Sequence, residues 1–277
     1  MSVLIGFDDT VYGQDALALG LRLAGVTSKS AIVATVFPGS TRGLVAMNDP
    51  RWVDEARRAA ERKLDTARVL VGNRPNVTYE ALGPAAASAG LHEFAERTRP
   101  EMIVMGSSEH STVGRVSPGS TVEQLLNGAP VPMAVAPRGY RRRGGSIRQI
   151  AVAFDGGPES WNALAIASGL AQRLGGSLRL VCVATRAADE QLTTLDRAAA
   201  EAPNGVKVIT ELIVDEVPSD TLTNLPGDPD LLVCGSRGYG RARHVLLGSV
   251  STQLVRKAAY PVLVVPRLDT TSTSGVS

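Results

Sequence analysis

The residues best suited to do chemistry lie between Gly235 and Ser251, in the run GSRGYGRARHVLLGSVS. A short apolar stretch, Leu231 to Cys234, leads into them. Two residues separate Gly235 from Gly238, and nine separate Gly238 from Gly248, which Ser249 follows. Each part has a use if the segment holds a phosphate. Gly235 and Gly238 let backbone approach a ligand with no side chain in the way. Gly248, Ser249, Val250 and Ser251 are placed to open a helix, where free N–H groups and the positive end of the dipole attract anions. Ser249 and Ser251 add hydroxyl donors, and Arg237, Arg241 and Arg243 supply charge. Two other segments could join them. Asp155, in the turn Phe154-Asp155-Gly156-Gly157, can accept hydrogen bonds from ribose hydroxyls or hold a metal; read alone, it is a carboxylate stabilising the dipole of the following helix. Backbone at Val183 can read the edge of an adenine. In an open parallel sheet such segments meet beyond the carboxyl ends of the strands, where strand order reverses. Together they fit a nucleotide.

The elements that would position these residues occur twice. VLIGFDDT from Val3 matches IAVAFDGG from Ile150, EMIVMGSS from Glu101 matches DLLVCGSR from Asp230, and APVPMAVAPRG from Ala129 matches AAYPVLVVPRL from Ala258. The offset is 147 residues at Asp8 and Asp155 but 129 at Gly119 and Gly248, so the second copy lacks 18 residues in its middle. A repeat in constant order marks a tandem duplication. Within each copy short β-branched runs alternate with helical periodicity, which predicts a parallel α/β fold. Strands are expected at 3–8, 31–37, 76–82, 101–106 and 131–136, then 149–154, 178–184, 206–214, 230–234 and 261–265. Helices are expected at 13–25, 51–71, 85–98 and 119–128, then 158–174, 188–202, 217–224 and 249–259. Leu17, Leu21 and Ala24 give the first helix one core-facing stripe. The spacing divides the chain into a first domain, 1–138, a linker, 139–147, a second domain, 148–268, and a Ser/Thr-rich tail, 269–277, expected to be disordered.

Composition narrows the function classes. A net charge of +2, from 29 Lys and Arg against 27 Asp and Glu, is too small to argue for nucleic acid. The basic cluster Arg138, Arg141, Arg142, Arg143 and Arg148 reads as a solvated linker, because Tyr140 alone offers a stacking ring. No apolar run reaches the roughly 20 residues of a membrane helix. The amino terminus enters a strand pattern without a basic region, so no signal peptide is expected. Cys182 and Cys234 sit in strand-like runs and read as buried thiols. A cytoplasmic protein is therefore expected. His92, His110 and His244 show no metal-ligand spacing, so no zinc site is expected. Trp52 and Trp161 read as packing residues.

On the Gly235-x2-Gly238-x9-Gly248-Ser249 motif, the aspartate turn 154–157 and the closing strand Pro261-Val262-Leu263-Val264-Val265-Pro266, the chain resembles the universal stress proteins, as a tandem member with two such domains. The resemblance runs over nearly all of residues 3 to 267. It implies two tandem five-stranded parallel sheets with helices on both faces, open and doubly wound in the Rossmann manner. It implies that strands 131–136 and 261–265 pair within the chain as an intramolecular pseudo-dimer, with a homodimer left open. It implies ATP, with magnesium, as the ligand, bound by Asp155, Val183, Gly235, Gly238, Gly248, Ser249, Val250 and Ser251, and an unidentified protein partner that reads the bound state.

The first copy departs from the motif. Its loop runs Gly106-Ser107-Ser108-Glu109 and then Gly119-Ser120, so Glu109 stands where the second copy has Gly238. A carboxylate there repels phosphates, Asp9 replaces Gly156, and Arg115 with His110 is thin basic support. Asp8, Val36, Gly106, Gly119 and Ser120 keep their places, which predicts a weaker second site. Three functions remain: a nucleotide-gated stress or signalling module, an ATP hydrolase or transferase, and a partner-binding protein without nucleotide. The chain has no GxxxxGK[ST] loop and no HxGH motif, and no residue stands out as a base for water. At most slow hydrolysis is expected, with no catalytic residue named.

Overall fold

The computed structural model describes residues 2–25, 30–38, 50–108, 115–116, 119–143, 145–186, 189–236 and 248–267. Its strands are β1 (Ser2–Gly6), β2 (Ser30–Val36), β3 (Val77–Leu82), β4 (Met102–Gly106), β5 (Met133–Ala136), β6 (Gln149–Ala153), β7 (Ser177–Ala184), β8 (Val208–Val214), β9 (Leu231–Gly235) and β10 (Val262–Val265). Its helices are α1 (Val11–Gly25), α2 (Pro50–Val71), α3 (Ala87–Thr98), α4 (Ser120–Leu126), α5 (Pro158–Leu174), α6 (Asp189–Ala200), α7 (Pro218–Thr223) and α8 (Ser249–Lys257). Every boundary lies within two residues of the one expected from the sequence.

The two five-stranded sheets join into one sheet of ten strands, in the order β3-β2-β1-β4-β5-β10-β9-β6-β7-β8. All neighbours run parallel except β5 and β10, which pair antiparallel through Val135 with Val262, Ala134 with Leu263, and Met133 with Val264. This seam is the pairing that the resemblance implies. β5 and β10 are buried at every residue, as strands covered on both faces must be. The edge strand β3 instead alternates half-buried and exposed residues from Val77 to Glu80, because solvent reaches one of its sides.

Each face of the sheet carries helices of both copies. Leu17, Leu64, Leu164 and Leu195, from α1, α2, α5 and α6, share one apolar cluster. Phe94, Leu125, Leu222 and Leu254, from α3, α4, α7 and α8, share the other. The apolar core thus runs through the seam without a break. Local chemistry sets the helix ends. Pro158 opens α5, where its missing N–H has no intrahelical partner, and Gly175 closes it at φ 59°, donating to Ala171 O. The missing 18 residues show in α6, which has 12 residues against 22 in α2.

The linker is not the solvated segment its arginines suggest. Tyr140 and Ile147 are buried, at 4% and 2% exposure. The carboxylate of Asp15, itself buried in α1, accepts hydrogen bonds from Gly139 N–H at 2.6 Å and Arg141 N–H at 2.8 Å. Arg22 stacks 4.6 Å from the centre of the Tyr140 ring and donates to Arg143 O. The arginines thus decorate a strap tied to α1 rather than a free tether. The tail 269–277 lies outside the described residues.

Candidate functional site

The ends of β6, β7 and β9 and the start of α8 enclose a cavity of about 440 Å³. Asp155, Val183, Gly235, Gly248, Ser249, Val250 and Ser251 all line it. Seven of the eight residues singled out in the second copy therefore come together. The eighth, Gly238, lies outside the described residues, as do Arg237, Arg241, Arg243 and His244.

The start of α8 leaves its first N–H groups without partners inside the helix. Gly248 sits before it in an extended conformation, with no side-chain cap. Thr252 N–H donates to Gly248 O at 2.9 Å, the bond that closes the first turn. The N–H groups of Ser249, Val250 and Ser251 precede that bond and carry the positive end of the helix dipole. Gly248 N–H donates to Ser236 O at 2.7 Å, so the buried Ser236 anchors the helix start against β9. Ser249 is exposed. Ser251 is not: its hydroxyl lies 3.0 Å from Ser236 O and 3.1 Å from Gly248 O, turned to the backbone rather than outward. Its hydroxyl is thus engaged within the protein, contrary to the outward donor expected from the sequence.

Asp155 bears out the helix reading made of it and also lines the cavity. Its Oδ1 accepts from Gly157 N–H at 2.9 Å and so fixes the start of α5, while the residue is exposed and lines the cavity. It is the one carboxylate lining the cavity among the described residues. Gly235 lines the cavity, as expected, and is also constrained by packing. A Cβ built there would stand 2.7 Å from Glu159 Cβ and 2.9 Å from Glu159 O. The first turn of α5 presses on β9 at that point, so helix packing demands glycine whether or not a ligand is present. Gly106 repeats the arrangement, with Tyr12 O 2.1 Å from a built Cβ.

Both cysteines line the same cavity as free, buried thiols. Burial pushes the Cys234 thiol up to about 12 from an ordinary 9.0. Burial raises Cys182 as well, with the Asp155 charge adding to it. The folded chain therefore keeps the Cys234 proton where the unfolded chain has lost it. Its contribution to stability is intact below pH 9 and declines as pH rises from about 9 to 12. Denaturant midpoints between pH 8 and 11 should fall less steeply for Cys234→Ala than for the parent; equal slopes would contradict this assignment.

The first copy forms a cavity too, of about 330 Å³. Asp8, Val36, Gly106 and Gly119 line it. Ser120 opens α4, whose first-turn bond runs from Glu123 N–H to Gly119 O. Asp8 accepts from the Thr10 hydroxyl at 2.6 Å, and Thr10 in turn accepts from Gly13 N–H at 3.2 Å. Arg115, expected to support a phosphate here, reaches the other copy: its guanidinium donates to Asn224 Oδ1 at 2.9 Å and to Lys257 O at 2.8 Å. Val116 N–H donates to Ala258 O at 2.8 Å beside it. Glu109 and His110 lie outside the described residues. His92 pairs with Glu96 on α3 at 3.4 Å, and Trp161 meets Phe154 edge-on at 5.1 Å. No cluster of metal-ligating side chains occurs among the described residues, and none of their helices is long and apolar enough to cross a membrane.

Comparison with known proteins agrees with the fold. The universal stress protein Rv2319c of Mycobacterium tuberculosis is 26% identical over 291 residues, covering 96% of this chain and all of that protein. The crystal structure of a universal stress protein from Archaeoglobus fulgidus aligns with a TM-score of 0.75 at 20% identity, over 96% of this chain and 98% of that one. A universal stress protein solved in complex with cAMP aligns over 44% of this chain and 98% of its own, at 25% identity and a TM-score of 0.39. The sequence model described as "Universal stress protein family" matches residues 1–137 and 184–266. The stretch it leaves out holds the linker, β6, α5 and β7, which nonetheless take the places that β1, α1 and β2 hold in the first copy. With its sequence matched on both sides of that stretch, the chain belongs to the universal stress protein family.

Proposed function

We propose that the chain is a nucleotide-gated stress or signalling module that binds ATP, with magnesium, in the cavity of the second copy. The observation that carries this is the convergence of Asp155, Val183 and the Gly248–Ser251 helix start on one 440 Å³ cavity. The helix start offers N–H groups to phosphates, Asp155 offers its carboxylate to ribose, and the main chain at Val183 offers its amide groups to adenine. Magnesium would come with the nucleotide, and among the described residues lining the cavity Asp155 is the carboxylate that could help to hold it. The first copy binds nucleotide more weakly: it keeps the cavity and the helix start, but Glu109 replaces a glycine and Arg115 is engaged across the seam. A cytoplasmic protein whose bound state is read by a protein partner is the setting this reading requires.

Hydrolysis, where it occurs, is slow. Asp155 already spends one oxygen on the α5 start, and no second carboxylate among the described residues lines the cavity to activate water. Calorimetric titration of the purified chain with Mg-ATP, with product assayed for ADP, tests both statements. Saturable binding with ADP formed at a small fraction of a turnover per minute is expected. Steady turnover would make the protein an enzyme. An absence of binding at millimolar ATP would overturn the proposal in favour of a partner-binding protein.

A further inference from the structure

Arg141, Arg142, Arg143 and Arg148, on the strap between the copies, have no part in the nucleotide reading. The backbone that carries the first three is fixed. Tyr140–Arg142 form a short 3₁₀ helix, closed by Arg142 N–H to Gly139 O at 3.1 Å and Arg143 N–H to Tyr140 O at 2.9 Å. The Asp15 bonds and the Arg22 contacts fasten that turn to α1. From this base the side chains reach solvent: Arg142, Arg143 and Arg148 are exposed, and Arg141 is half-buried.

The charge on the strap is left unbalanced. Asp15 lies buried beneath it and gives its carboxylate to N–H groups of the main chain rather than to a guanidinium. Asp230 does the same where the strap enters β6, accepting from Arg148 N–H and Gln149 N–H at 2.8 Å each. Arg141 donates to Val11 O at 3.3 Å and Arg148 to the Ser146 hydroxyl at 3.0 Å; neither bond neutralises a cation. By contrast Arg68, Arg179 and Arg256 lie 2.7, 2.6 and 3.1 Å from Asp65, Glu211 and Glu123. Like charges crowded on a fastened turn repel one another, and an anion arriving from outside relieves that repulsion.

The surroundings select the anion. Single-stranded nucleic acid is held by rings on which bases stack as well as by charge. Here Tyr140 is 4% exposed beneath Arg22, and Arg138 stands over the Tyr12 ring at 5.7 Å. A membrane surface takes up apolar side chains beside the basic ones. On the strap and α1, Val11 is the one exposed large hydrophobic among the described residues. Carboxylates need neither feature, because a guanidinium meets each of them with paired N–H groups.

We propose that the strap is a docking surface for an acidic protein segment, whose Asp and Glu side chains take the guanidinium groups of Arg142, Arg143 and Arg148. The fastened turn holds the first two at a fixed spacing, so less ordering is required on binding than a free tether would demand. The inference holds whether or not ATP occupies the second copy.

The test uses the full chain and a fluorescein-labelled oligoglutamate, followed by anisotropy at low salt. The parent should bind it saturably, ignore oligoglutamine, and weaken as NaCl rises from about 0.05 to about 0.3 M. Arg142→Gln with Arg143→Gln should bind about tenfold more weakly, whereas Arg57→Gln with Arg58→Gln, an equal loss of charge on exposed positions of α2, should stay within about twofold of the parent. Arg142→Lys with Arg143→Lys, which keeps the charge, should recover most of the affinity. An equal loss in the strap and α2 variants would reduce the effect to net charge and overturn the proposal. Failure of the lysine variant to recover, together with a lowered melting temperature, would mark the arginines as structural and overturn it too. Tighter binding of an oligothymidylate of equal charge, or capture by phosphatidylserine vesicles, lost in the glutamine variant of the strap, would replace the acidic segment with nucleic acid or with a membrane. A parent that does not bind oligoglutamate at low salt would leave the strap without this role.

Discussion

Glutamate in place of Gly248 is expected to weaken ATP binding at least a hundredfold while leaving the fold as stable as before. Gly248 adopts φ −64° and ψ 163°, a conformation open to any residue, so the substitution strains no backbone. A carboxylate before a helix even favours the helix dipole, by about 0.3–1 kcal/mol. The loss falls on the ligand instead. A charge a few ångströms from a phosphate, at the effective dielectric of a protein surface, costs about 3 kcal/mol or more, and it competes for the N–H groups of Ser249, Val250 and Ser251. Binding and stability should therefore part company, which a folding defect could not produce. Calorimetry on Gly248→Glu and Gly248→Gln, each checked by thermal melting, separates charge from bulk. Parent-like affinity in the glutamate variant would put the phosphates elsewhere.

The motif glycine Gly106 should fail in the opposite way, through the fold. Alanine at position 106 would put its methyl carbon 2.1 Å from Tyr12 O and 2.7 Å from Tyr12 C. Both atoms belong to the main chain of α1, so relief requires the helix to back away from β4. Overpacking against movable side chains costs about 1–3 kcal/mol; displacement of a helix packed along β1, β4 and β5 should cost about 4 kcal/mol or more. Gly235→Ala meets Glu159 Cβ at 2.7 Å and Glu159 O at 2.9 Å and should lose somewhat less. Denaturant midpoints measure both. A parent-like midpoint for Gly106→Ala would mean that α1 is free to shift and that this glycine is not held by packing.

These two glycines show where sequence reading stops. Strand and helix positions were legible because the cues are local: apolar runs of parallel strands, the Leu17-Leu21-Ala24 stripe, Pro158 at a helix start. The convergence of Asp155, Val183 and Gly248–Ser251 followed from the general rule for parallel sheets. The packing constraint on Gly235 could not be read, because its neighbour is Glu159, distant in sequence, and a glycine looks alike whether it makes room for a ligand, a helix or both. The linker was misjudged for a similar reason. Five arginines in the neighbourhood of 138–148 signal solvent, and the partner that overrides them, Asp15, looks like an ordinary polar residue of α1. Its burial against Gly139 and Arg141 N–H groups exists only once the chain has folded back on itself. Arg115 read as phosphate support because only its proximity to the first glycine loop was visible; its bonds to Asn224 and Lys257 cross the seam.

The antiparallel seam has a consequence for biosynthesis. β5 ends at Ala136 and its partner β10 begins at Val262, so about 125 residues must be added before the seam can close. At a synthesis rate of about 5–20 residues per second, the first half waits on the order of 6–25 s with the outer edge of β5 unpaired. That edge is Met-Ala-Val-Ala, uncharged along its length, and charge is what commonly guards an open strand. Neighbouring chains on one messenger would present the same edge during overlapping intervals. The nascent first half is thus the stage of this protein's life at which a chaperone would have most to protect, and a slower codon run before residue 262 would lengthen the exposure.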